Sequence, residues 1–188
     1  MRMDNIILIG MPAAGKSTIG VIIAKRLGYQ FVDVDLLIQE KEGKLLKDII
    51  AERGIQGFLE VEDQVNAGLH VERTVISPGG SVVYCENAMK HFKKIGKVLY
   101  LKASFETISR RLKNVRGRGV VLGDGQTLKE LYDERVELFE KYADITVCED
   151  GLHLDEMIEK VMKNPSGIVK ILQNDYVIVK NVLQSGIL

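Results

Sequence analysis

The residues with the clearest chemistry lie near the N-terminus, where Gly10-Met11-Pro12-Ala13-Ala14-Gly15-Lys16-Ser17 fits G-x-x-x-x-G-K-[ST] at every fixed position. Glycines at both ends let the backbone curl until successive N–H groups point at one anion. A helix begun by Lys16 would aim the positive end of its dipole at the same point. Lys16 is then placed to reach the β- and γ-phosphates of a nucleotide, and Ser17 to set its hydroxyl on Mg²⁺. The expected nucleotide-binding residues are Pro12, Ala13, Ala14, Gly15, Lys16, Ser17 and Thr18.

A phosphate loop needs a carboxylate to face the metal, and its position separates one class of such proteins from another. The apolar run Arg73–Ser77 ends in Ser77-Pro78 with no acid, unlike the ATPases that place one there, and no N-K-x-D base-reading motif occurs. The nearest acids at a strand end are Asp33 and Asp35, after Phe31. In an extended segment residues two apart share a face, so both carboxylates are expected in one cleft, on a strand beside the loop's own. One would hold Mg²⁺ through water and the other would face an acceptor hydroxyl. The plainer alternative is that Asp35 caps a helix starting at Leu36.

These residues need a scaffold, and the periodicities supply one. Asn5–Ile9 is a continuous apolar run, as expected for a strand buried on both faces. Ile19, Ile22, Ile23 and Leu27 recur at helical spacing from Lys16 until Gly28 stops the helix. A strand is expected at Gln30–Val34, then two or three helices between Leu36 and Val71 broken at Gly43 and Gly54–Gly57. Further strands are expected at Arg73–Ser77, Lys97–Leu101 and Ile145–Cys148. Helices are expected at Glu86–Lys94, from a Ser104 cap to about Lys113, and at Leu128–Tyr142 and Leu152–Met162. Strands alternating with helices imply a three-layer α/β fold with a mainly parallel sheet. Asn114–Gln126 holds four glycines and two arginines and is expected to be a mobile loop. Asn164-Pro165-Ser166-Gly167 ends the pattern, leaving 164–188 as an appendage for this domain or a partner chain.

Composition narrows the function classes. The 188 residues suit one domain, and 46% hydrophobic with 28% charged residues is a soluble balance. Lys plus Arg and Asp plus Glu number 26 each, so no overall field draws the chain to nucleic acid or membrane. Cys85 and Cys148, with His70, His91 and His153, have no metal-ligand spacing. With neither a disulfide framework nor an export signal, a cytoplasmic location is expected, as a monomer or weak homo-oligomer.

Together the phosphate loop, F-x-D-x-D at Phe31–Asp35, the glycine pair after the third strand and the arginine-bearing late loop resemble the shikimate kinase family over about residues 4–163. The resemblance implies a P-loop kinase with a five-stranded parallel sheet and a lid at about 114–126. Such a kinase uses ATP and Mg²⁺ to phosphorylate a ring hydroxyl of a small carboxylic acid in aromatic amino-acid biosynthesis. By the same resemblance Ser17 and Asp33 are the metal pair, and Asp35 acts on the acceptor hydroxyl. Gly79 and Gly80 let the substrate ring approach, Arg111 lies against adenine, and Arg135 grips the acceptor carboxylate. Arg116 is the lid arginine that meets the phosphoryl group, although Gly117-Arg118-Gly119 replaces the family's usual continuation and makes Arg118 a second candidate. One departure concerns the acceptor. The family's F-R-x-x-E reads Phe58-Leu59-Glu60-Val61-Glu62 here, so Leu59 stands where a second carboxylate-binding arginine is usual. Weak activity on shikimate is therefore expected. A kinase for another hydroxy acid or polyol, and a nucleotide-binding protein without turnover, remain alternatives.

Overall fold

The computed structural model describes residues 4–112, 120–123, 125–148 and 150–162. Five strands form one parallel sheet: β1 (Asn5–Ile9), β2 (Gln30–Asp33), β3 (Thr74–Ser77), β4 (Gly96–Lys102) and β5 (Ile145–Cys148), in the order β2-β3-β1-β4-β5. The central strand β1 is buried along its whole length. Its alternation divides the core, with Ile7 and Ile9 on one face of the sheet and Ile6 and Leu8 on the other.

Helices cover both faces. The Ile6/Leu8 face packs on α1 (Lys16–Leu27) and α7 (Leu154–Met162) through Ile19, Ile23, Met157 and Val161. The Ile7/Ile9 face packs on α2 (Val34–Glu42), α3 (Leu46–Ala67), α4 (Glu86–Ile95), α5 (Phe105–Arg111) and α6 (Leu128–Tyr142) through residues such as Ile38, Phe58, Phe92, Ile108 and Phe139. At the N-terminal edge of the sheet, buried Asn5 ties three segments together. Its Nδ2 donates to Val71 O (2.8 Å) and Ile95 O (3.0 Å), and its Oδ1 accepts from Thr74 N (3.0 Å). The opposite edge is left for chemistry, as is usual at the carboxyl ends of strands in open α/β sheets.

Several expectations are corrected here. β3 lies between β1 and β2, so the strand ending at Asp33 is not beside the strand that feeds the phosphate loop. That strand stops at Asp33, and Asp35 sits in the first turn of α2 rather than in extended chain. The shared-face argument for the two aspartates therefore fails. The cap of α2 is Asp33, whose Oδ1 accepts from Asp35 N at 3.1 Å, so Asp35 is not the capping residue. By contrast, the break expected at Gly54–Gly57 is present at Gly54, whose φ 70 and ψ 178 are not helical, so α3 is two helical stretches meeting at a kink. A 3₁₀ turn at Val82–Tyr84 had no periodic signal. Among the described residues no helix is long and apolar enough to cross a membrane. Arg116, Arg118 and most of the expected lid, together with the appendage at 164–188, lie outside the described residues.

Candidate active site

The phosphate loop bridges β1 and α1. Gly15 is the residue before the helix and has φ 82, a left-handed conformation that favours glycine. No side chain caps α1, so its first amides remain available to an anion. Lys16 folds back over the loop, with Nζ donating to Gly10 O at 3.0 Å and Met11 O at 3.1 Å. Burial pushes its ammonium down to about 8, while Asp35 pulls in the opposite direction. Its charge is thus incompletely compensated by the protein and suited to a phosphate. Ala14, expected to contact nucleotide, is fully buried and its amide bonds Met11 O at 3.1 Å.

A cavity of about 300 Å³ opens beside this loop. Pro12, Ala13, Gly15, Lys16, Ser17 and Thr18 form one side, and Asp35, Gly79, Gly80 and Arg135 line it with Leu46 and Phe58. A second cavity of about 320 Å³ shares Ala13, Gly15 and Thr18 and is closed by Ile19, Arg111, Leu152 and Met157. There Arg111 Nη1 donates to Ala13 O at 3.3 Å, placing the guanidinium against the loop. An elongated ligand with a polar middle could occupy both cavities across the loop.

Ser17 Oγ donates to Asp33 Oδ2 at 2.7 Å and lies 3.3 Å from Ser77 Oγ. These hard oxygen donors fit Mg²⁺, which keeps several waters and takes its remaining ligands from phosphates. Among the described residues no cluster of three or more His, Cys, Asp or Glu forms an all-protein metal cage. Ser77 occupies the third-strand end that sequence reading dismissed for lack of an acid. Its place beside the loop strand follows from the strand order, which the sequence did not reveal.

Asp35 faces the cavity with its carboxyl pushed up to about 6 by burial; Lys16 opposes that shift and Asp33 adds to it. The two glycines are explained by crowding. A Cβ on Gly79 would lie 2.5 Å from Glu62 Oε1 and 2.9 Å from Asp35 Oδ1, and one on Gly80 would lie 2.7 Å from Pro12 Cδ. Arg135 is only 1% exposed, so it is not a solvent-facing arginine on the surface of α6. Its donors go to neutral acceptors, with Nη2 to Val121 O at 2.9 Å and Nε to Tyr84 Oη at 3.4 Å, and its Cζ lies 5.3 Å from the Tyr84 ring centre. A buried guanidinium held this way retains charge for an anionic ligand.

Residues 12–165 match the sequence profile described as Shikimate kinase. The chain belongs to the shikimate kinase family. It is 37% identical over 161 residues to the shikimate kinase of Sulfurihydrogenibium sp. (strain YO3AOP1), covering 85% of this chain and 96% of that protein. The shikimate kinase of Thermodesulfovibrio yellowstonii is 36% identical over 164 residues, covering 86% of this chain and 94% of that one. Among solved structures, the Acinetobacter baumannii shikimate kinase in complex with shikimate superposes with TM-score 0.79 at 27% identity, covering 92% of this chain and 94% of the other.

Within this family frame the departure at Leu59 takes a definite form. Leu59 is partly buried and packs on the core, while its neighbour Phe58 lines the cavity. One helical turn on, Glu62 is fully buried, and its Oε1 has no hydrogen-bond partner among the described residues. Tyr84 and Glu62 were not among the expected site residues. Tyr84 could not be found from sequence because the 3₁₀ turn that presents it carries no pattern. Glu62 had a signal in its spacing from Phe58.

Proposed function

We propose that this shikimate kinase family member transfers the γ-phosphoryl group of ATP to a ring hydroxyl of shikimate in aromatic amino-acid biosynthesis. The observation that carries the acceptor is Arg135, a buried guanidinium lining the same cavity as Lys16 and Asp35. The α1 amides and Lys16 bind the β- and γ-phosphates, while Arg111 and the second cavity hold the nucleobase. Ser17 and Asp33 would hold Mg²⁺, which supplies positive charge at the phosphates.

The acceptor carboxylate pairs with Arg135, and the open backbone at Gly79 and Gly80 admits the ring. Asp35 orients the attacking hydroxyl and takes its proton as the oxygen–phosphorus bond forms and the bond to ADP breaks. A carboxylate poised at about 6 is a competent acceptor for that proton near neutrality. Arg116 or Arg118 is proposed to add charge at the transferring group. Action as a monomer or weak homo-oligomer, with a cytoplasmic location, is part of the same proposal.

The test is ADP release with shikimate as acceptor, with the product checked by ³¹P NMR. A shikimate-dependent phosphate monoester supports the reading. ADP release only with a neutral polyol would overturn it in favour of a different acceptor, the second reading that Leu59 supports.

A further inference from the structure

Glu62 projects from α3 behind Gly79. A Cβ at Gly79 would meet both Glu62 Oε1 and Asp35 Oδ1, so the two carboxylates are close neighbours across one backbone segment of the acceptor cavity. Glu62 is 0% exposed and Oε1 lacks a partner. Its Oε2 accepts from the thiol of Cys85 at 3.8 Å, and Ser81 also lies beside the carboxylate. At the preceding turn of its own helix Leu59 offers no cation, and Asp63 bonds instead to Asn87 Nδ2 and Ala88 N.

The charges around Glu62 come from several elements. Asp35 on α2 disfavours its ionised form, Arg135 on α6 favours it, and Lys16 on α1 also interacts with it. Asp33 lies beyond Asp35 and acts on Asp35 and Lys16. Burial dominates and pushes the carboxyl up to about 7, with Ser81 and Cys85 opposing. Arg135 is thus a cation lining the acceptor cavity, along with Lys16, that helps keep Glu62 ionised. An acceptor carboxylate bound to Arg135 would cancel that help and add a second negative charge nearby. A buried carboxylate in that position is neutralised rather than left charged.

We propose that Glu62 takes up one solvent proton when a carboxylate-bearing acceptor binds at Arg135, making it a determinant of acceptor affinity in this chain. No other bond forms or breaks. The proposal rests on the acceptor reading above. Above the pH at which free Glu62 ionises, every binding event must recruit a proton, and the KM for the acid rises. A neutral acceptor of the same shape leaves Arg135 unneutralised and demands no proton.

The probes are shikimate and its methyl ester, each compared over a pH series for kcat/KM with the ATP-loaded enzyme. Their ratio cancels the titrations of Lys16 and Asp35, which both reactions share. The acid should lose ground to the ester by up to about tenfold per pH unit above about 7. Calorimetric titration of shikimate into the ADP complex, in buffers of different ionisation enthalpy, should show uptake approaching one proton. Glu62→Gln should abolish both effects. A pH-flat ratio, no proton uptake, or full uptake in Glu62→Gln would each overturn the proposal. The acid–ester comparison uses the unaltered protein and decides the matter if the variant does not fold. Phosphorylation of shikimate with a pH-flat ratio defeats only the proton uptake, whereas no phosphorylation at any pH defeats the acceptor reading beneath it.

Discussion

Ser17 Oγ donates to Asp33 Oδ2 at 2.7 Å, although the strand that ends at Asp33 is separated from the loop strand by β3. The contact spans the carboxyl edge of three strands, with Ser77 of the middle strand 3.3 Å from the same hydroxyl. Asp33 is fixed from a second side by capping α2. A hydroxyl and a carboxylate held in this way are organised before any cation arrives.

Asp33→Asn should therefore act on metal dependence first. The amide keeps the cap and the contact with Ser17 but removes the charge that favours a hydrated dication. The Mg²⁺ concentration for half-maximal rate should rise about 10- to 100-fold, the usual cost of disturbing residues that support a metal site. A Mg²⁺ titration at saturating ATP measures it, and an unchanged midpoint would remove Asp33 from the metal site.

Asp35→Asn should behave differently. Asp35 faces the acceptor cavity rather than the second cavity beside Arg111, so its loss should lower kcat by about 10²–10⁴-fold with near-normal KM for ATP. Steady-state kinetics with each substrate varied separates the two. A collapse of ATP affinity instead would exchange the roles of the two aspartates.

Gly79→Ala tests the crowding at the acceptor wall. The new methyl would stand within hydrogen-bond distance of two carboxylate oxygens, one of them on fully buried Glu62. Overpacking of this kind costs about 1–3 kcal/mol, and shifting Asp35 should lower kcat as well. Thermal unfolding and kcat measured together check it; a variant with both values unchanged would show that the two side chains move freely.

The elements were legible where the pattern was local. The spans of β1, α1, α6 and β5 match their apolar periodicity and caps, including the Thr127–Glu130 capping box that starts α6. The phosphate loop was legible because its chemistry tolerates little variation in sequence. Strand order was not, since β3 enters between β1 and β2 from more than forty residues downstream. The placement of Asp35 failed for a related reason. Phe31-Val32-Asp33-Val34-Asp35 alternates like a strand, but the Asp33 carboxylate captures the Asp35 amide and turns the chain into α2. Arg135 was legible through the family resemblance and not through its own pattern, since the packing of α6 on the sheet is what buries it.

Leu59→Arg should improve use of shikimate. The guanidinium would start one turn before Glu62, in the i, i+3 relation that lets helical side chains meet. It would give Glu62 a cationic partner at Oε1, which has none among the described residues, and add a second donor for the acceptor carboxylate. A charge-assisted hydrogen bond is worth about 1.5–3 kcal/mol, so KM for shikimate should fall by about one to two decades. An unchanged or higher KM would mean that Arg135 already meets the full demand of the carboxylate.

Glu62 also leaves a signature in the free protein. Its carboxyl is raised by burial from 4.5 to about 7. Below the lower value both folded and unfolded chains hold the proton, and its contribution does not change with pH. Between the two values the unfolded chain releases the proton while the folded one keeps it, so stability falls as pH rises. Above about 7 the loss is complete, on the order of 3 kcal/mol for a shift of this size. Glu62→Gln has no proton to release, so its stability should decline less than the wild type's across that window and exceed it most on the alkaline side. Asp35, raised to about 6, contributes a similar decline to both proteins, and subtraction removes it. Denaturant unfolding at a series of pH values gives the difference curve. A curve flat through the window would mean that Glu62 is already ionised in the fold, with Arg135 and the neighbouring donors outweighing its burial.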